Sequence, residues 1–155
     1  MKTQGEIESA VSQSMSRFEQ SYMGRGPADV RAFLIHDLVL VRLKGVLTAA
    51  EQHLVKTLPS AKGRDLLKQV RSHLIEIARP TMDAMLKEIT GISVVSIHHD
   101  ISTVTGEEII VFTLAECPVC RETKNRPSDS RNAPVACGDP AGDPPRPRFA
   151  SRSAT

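Results

Sequence analysis

Apolar residues recur at helical spacing from the start of the chain. Ile7, Ala10, Val11, Met15, Phe18 and Tyr22 fall on one face of a helix. Thr3 and Glu6 before and within it match a capping box, in which each side chain satisfies an orphan backbone N–H of the first turn. Gly24 supplies a left-handed C-cap and Pro27 bars continuation. The period then shortens to two. Val30 to Ile35 reads as a strand, His36-Asp37 as a tight turn, and Leu38 to Val46 as a second strand rich in β-branched residues, which makes a hairpin. Thr48 and Glu51 form a second capping box, opening a short helix that ends near Leu58-Pro59.

A longer helical pattern begins around Lys62. Leu66, Leu67, Val70, Leu74, Ile77, Ala78, Met82, Met85 and Ile89 hold the helical period. Pro80 lies inside it and removes one i→i−4 hydrogen bond, which predicts a kink near Arg79 or two abutting helices. Thr90-Gly91 ends the element. A second hairpin follows, Ile92–Ile101 and Glu107–Leu114 around a turn at Thr105-Gly106. The order is α-ββ-α-α-ββ. The fold class is therefore α+β, an antiparallel four-stranded sheet from two hairpins packed with helices on one face.

The strands do not alternate cleanly. Phe33 and Ile35 stand beside Val30 and Leu34, and Ile109 and Val111 beside Ile110 and Phe112, so several strands are apolar on both faces. An antiparallel sheet with one wet face alternates more strictly. Either helices cover both sides or a second copy does, and a homodimer is the favoured expectation.

Composition changes the picture beyond residue 117. Seven of the ten prolines fall in residues 118–155, with almost no large apolar side chain, so residues 1–117 form the domain and 118–155 an expected disordered Pro- and Arg-rich tail. The tail holds seven Lys/Arg against four Asp/Glu, so the net charge of +2 leaves residues 1–117 at −1. The domain is no basic nucleic-acid binder. Phe18, Tyr22, Phe33, Phe112 and Phe149 are the only aromatic residues, too few for base-stacking platforms, and no nucleic-acid partner is expected. The longest apolar runs, Leu38–Val41 and Ile109–Phe112, are far short of the ~20 residues that span a bilayer. Residues 1–20 carry no apolar signal-peptide core. A cytoplasmic location follows as an expectation, and three cysteines without a secretory signal argue against a disulfide framework.

Candidate chemistry is thin. Cys117-Pro118-Val119-Cys120 with Cys137 offers three thiols, one short of a structural zinc site, and precedes a Pro-rich tail instead of a redox helix. A metal- or thiol-dependent protein using these cysteines is the alternative reading. His98 and Asp100 lie on one face of a strand and His99 on the other, so the two histidines do not share a metal. Gly24-Arg25-Gly26-Pro27 follows a helix instead of preceding one, unlike a phosphate loop, although Arg25 is a candidate anion contact. No Ser/His/Asp set or embedded carboxylate pair is recognisable. No enzyme and no cofactor are expected.

Several segments carry a resemblance when taken in order. They are Gly24-Arg25-Gly26-Pro27, Val41-Arg42-Leu43-Lys44-Gly45-Val46-Leu47-Thr48 with Glu51, and Ala78-Arg79-Pro80. Thr90-Gly91 follows, then His98 with Asp100-Ile101-Ser102-Thr103, Thr105-Gly106-Glu107 and Val111-Phe112-Thr113-Leu114. Together they resemble the MpsC-like family, named for a sodium-translocating, membrane-potential-generating system of bacteria. The resemblance covers residues 5–115, and the tail departs from the family pattern. It implies a bacterial protein linked to sodium and inorganic-carbon uptake, with an integral membrane transport subunit as partner. A chain without a spanning segment conducts no ion through hydrocarbon, so the resemblance implies an accessory or regulatory subunit, peripheral to the inner face of the membrane. Arg25, Arg42, Arg79, His98 and Asp100 lie in or beside these motifs and are the candidate binding residues.

Overall fold

The computed structural model describes residues 1–121. Its elements are α1 (Gln4–Tyr22), β1 (Asp29–Ile35), β2 (Leu38–Lys44), α2 (Ala49–Thr57), α3 (Ser60–Thr90), β3 (Val94–Ile101) and β4 (Glu108–Leu114). The expected order and the α+β class are those observed. The expectations for the tail, and the position of Cys137, lie outside the described residues.

Both capping boxes form. Thr3 accepts from the Glu6 N–H while Glu6 accepts from the Thr3 N–H, and Thr48 and Glu51 do the same for α2. Gly24 and Gly91 follow α1 and α3 with positive φ, the left-handed conformation that closes a helix. The β1–β2 turn is the two residues His36-Asp37, and His36 itself takes φ 56°.

All strand pairs are antiparallel, in the order β1-β2-β4-β3. Alternation along the strands sets two faces. On one, Ala32, Leu34, Val39, Val41, Leu43, Ile110, Phe112, Leu114 and Ile101 are buried. They pack with Ile7, Val11, Met15 and Phe18 of α1 and Leu67, Ile75, Ala78, Met82 and Leu86 of α3. This aliphatic core supplies most of the stability, at about 25 cal/mol per Å² of apolar surface removed from water.

Of the two alternatives at Pro80, abutting helices are excluded, because α3 is one helix through that residue. Pro80 and Glu76, whose carbonyl loses its i→i−4 partner, are both exposed residues, and Ile75, Ala78 and Met82 anchor the helix on either side. The buried stripe also differs from the expected one. Leu67, Arg71, Ile75, Ala78, Met82 and Leu86 face the core, whereas Leu66, Val70 and Ile77 remain 43%, 46% and 68% exposed.

Gly45 closes β2 where the chain doubles back against Ala28. Its φ is +66°, and an added Cβ would sit 2.8 Å from the Ala28 Cβ. Gly45→Ala is expected to lower the unfolding free energy by about 1–3 kcal/mol, read as a drop in the urea midpoint. An unchanged midpoint would contradict this assignment.

Candidate functional site

Two features stand out, back to back across β3 and β4. The first is a buried ionic network on the helix-covered side. Arg71 projects from the core stripe of α3 and is 1% exposed. Its Nε lies 3.0 Å from Glu51 Oε1, and Nη2 lies 3.1 Å from Glu51 Oε2 and 2.9 Å from the Val46 carbonyl. Nη1 donates to Glu108 Oε2 at 3.1 Å and approaches Glu19 Oε2 at 3.9 Å. His99 Nε2 then lies 2.5 Å from Glu108 Oε1, a contact in which the carboxylate accepts. Glu19 comes from α1, Glu51 from α2, His99 from β3 and Glu108 from β4, so one guanidinium ties together elements from the whole chain.

The electrostatics are uneven. Hydrogen bonds from Arg71 and the Thr48 backbone hold the Glu51 carboxyl below its usual range despite its partial burial, and Arg71 stays charged for the same reason. Burial, and then the charge of Glu108, push Glu19 up to about 8. Neither Glu19 oxygen has a hydrogen-bond partner. Glu19 is therefore largely protonated near neutral pH, and the network reduces to Arg71 shared between Glu51 and Glu108. The carboxylates already converge on a side-chain cation, in the place a metal ion would take. Among the described residues no group of three or more His, Cys, Asp or Glu side chains is arranged to hold a metal.

The second feature is the opposite face of the sheet, which no helix among the described residues covers. Register places its residues in three rows running β1, β2, β4, β3. They are Arg31–Arg42–Ile109–Asp100, Phe33–Leu40–Val111–His98 and Ile35–Leu38–Thr113–Ser96. Phe33 and Ile35 are 42% and 50% exposed, and Leu38, Leu40, Ile109 and Val111 are half-buried. This is a contiguous apolar surface with charge at one end, the kind of patch that marks an interaction site.

The candidates from sequence divide accordingly. Arg42, His98 and Asp100 share the open face. Arg42 donates to Glu107 at 2.6 and 2.8 Å, Asp100 accepts from Lys68 at 2.8 Å, and His98 is exposed. The bond from Lys68 holds the Asp100 carboxyl below its usual value. Arg25 lies elsewhere, donating to the Leu47 carbonyl at 3.0 Å. Arg79 sits on α3, donating to the Val95 carbonyl at 3.2 Å and pairing with Asp83 at 3.7 Å. The three arginines line no common pocket. Cys117 and Cys120 are free thiols after β4. Burial raises the Cys120 thiol, the reverse of what a reactive thiolate requires.

Sequence reasoning missed the network. Glu51 was legible only as a cap, and His99 only as the residue facing away from His98. The available signal was a charge at a core-phase position: Arg71 falls four residues from both Leu67 and Ile75, and Glu108 two residues before Ile110.

Residues 3–116 match the family described as Na+-translocating membrane potential-generating system (MpsC). The chain is also 39% identical over 113 residues to "Uncharacterized protein YbcI" of Bacillus subtilis (strain 168), covering 73% of this chain and 89% of the relative. No solved structure matches.

Proposed function

Because the chain belongs to the MpsC family, we propose that it serves as an accessory or regulatory subunit of a sodium-translocating, membrane-potential-generating system. In this reading it sits at the cytoplasmic face of the membrane, beside an integral subunit that carries the ion and supports inorganic-carbon uptake. It acts by contact, not catalysis. Among the described residues no helix is long and apolar enough to cross a membrane, so the ion path belongs to the partner.

The supporting observation is the outward stripe of α3. Leu66, Val70 and Ile77 are exposed on a helix whose inner side is already filled by the core. Leu74 continues the stripe between them, half-buried. Apolar residues repeating along one helix face suit docking against another helix. The integral subunit is the partner this reading assigns to it.

The test is sodium-driven membrane potential in cells, followed with a potential-sensitive dye. Deleting the chain is expected to lower the potential, the intact chain to restore it, and Val70→Glu to fail while folding normally by circular dichroism. A deletion strain with unchanged potential would contradict the reading.

A further inference from the structure

We infer that the open sheet face is the interface of a two-fold homodimer, in which two sheets stack face to face about an axis parallel to the strands between β2 and β4. The inference does not depend on the membrane role, because it rests on the rows of the sheet alone.

The edges of the sheet are already occupied, so it has little scope to associate by adding strands. Along β1, the Ala32 N–H donates to Ser12 Oγ at 2.9 Å and the Leu34 N–H to Glu8 Oε1 at 2.9 Å. The Leu34 carbonyl accepts from Gln4 Nε2 at 3.0 Å. Helix α1 thus uses three side chains to engage three of the hydrogen-bonding groups of that edge. Along β3 the register slips between Val94 and Ser96, and Arg79 takes the Val95 carbonyl. Irregular and capped edges of this kind prevent strand addition. The face remains, and it is apolar.

The rows make the face complementary to itself. Rotation about an axis along the strands keeps each row at its own height and reverses the strand order, so β1 lies over β3 of the copy and β2 over β4. Leu40 then meets Val111 of the copy at the centre. Phe33 covers His98, and Ile35 and Leu38 cover Ser96 and Thr113. At the charged end Arg31, which pairs in its own chain with Asp29, faces Asp100 of the copy, which pairs with Lys68, twice by symmetry, and Arg42, held by Glu107, faces Ile109. Sheets packed this way lie about 10 Å apart with strands about 30° from alignment. The other two-fold choice, an axis across the strands, sets the row of Arg31 and Arg42 over that of Ile35 and Leu38. It would lay Arg31 and Arg42, paired within their own chain with Asp29 and Glu107, over apolar side chains, with no carboxylate of the copy opposite either. Charge therefore selects the first axis.

Sedimentation velocity of the full chain at micromolar concentration tests the dimer, and charge reversal tests its axis. Wild type is expected to sediment as a dimer, and Val111→Glu as a monomer with an unchanged circular dichroism spectrum. Arg31→Asp and Asp100→Arg are each expected to weaken the dimer about tenfold, and the two together to restore most of the affinity. A monomeric wild type, or a dimer indifferent to Val111→Glu, would overturn the interface. Failure of the double variant to recover would overturn the axis. None of these results bears on the membrane potential of the deletion strain.

Discussion

Replacing Arg71 with leucine is expected to lower the unfolding free energy by about 3–5 kcal/mol, the usual cost of removing one partner from a buried ion pair. The guanidinium makes four hydrogen bonds in a site from which water is excluded, two to Glu51, one to Glu108 and one to the Val46 carbonyl. Removal leaves Glu108, which is fully buried, with His99 alone, and Glu51, which is partly buried, with the Thr48 N–H, so both lose the guanidinium charge. Most of the loss comes from those under-compensated groups, not from the value of the pair itself. Adding Glu108→Gln to Arg71→Leu is therefore expected to recover part of the stability, since the buried charge left without the guanidinium disappears. Urea unfolding of the two variants and wild type measures both effects. A loss under about 1 kcal/mol in the single variant, typical of an exposed ion pair, would show that Arg71 is not the tie between the elements.

The second large effect concerns pH. Glu19 is raised from 4.5 to about 8, mainly by burial. Between those values the folded chain holds a proton that the unfolded chain releases. Stability from this group is thus fully present below 4.5 and falls as pH rises toward 8, by about 1.4 kcal/mol per pH unit at full difference. Glu6, Glu51 and Asp100 are lowered, so their contributions are present above their unfolded values and are lost only under more acidic conditions. Glu19→Gln removes the falling contribution. The variant is expected to match or exceed wild type at pH 8 and to lose that advantage steadily toward pH 5. Parallel stability curves for the two proteins would contradict the burial of a protonated carboxyl.

Much of the fold was legible because its signals are local. The two capping boxes, the glycines that end α1 and α3, and the turns of both hairpins each depend on a few adjacent residues. The two-sided apolar strands were also legible, and the structure narrows their ambiguity: the described helices lie on one face and none covers the other. The buried side of α3 was not. Leu66, Val70 and Ile77 make as good a helical stripe as Leu67, Ile75 and Ala78, and the true stripe is disguised by Arg71. A charge at a core position counts against burial in any periodicity argument, yet here two carboxylates and a carbonyl hold it at the centre of the fold. Pro80 left two outcomes open, a kink or two helices, and the element is one helix.

The candidate sites show the same division. Strand alternation was enough to place His98 and Asp100 together on one face and His99 on the other. It did not reveal that Arg42 joins them, because that depends on β4 lying between β2 and β3. Nor did it separate Arg25 and Arg79 from the group, since each is engaged by a backbone carbonyl distant in sequence. The network was beyond any local reading, because its five residues come from five elements.

The proposed role is docking to a membrane-spanning partner. The most direct measurement is affinity purification of the full chain from detergent-solubilised membranes of its own host, with the recovered proteins quantified. The predicted result is an integral membrane protein in comparable molar amount, present with wild type and with Val111→Glu and absent with Val70→Glu. Recovery of the chain alone from all three preparations would contradict the account.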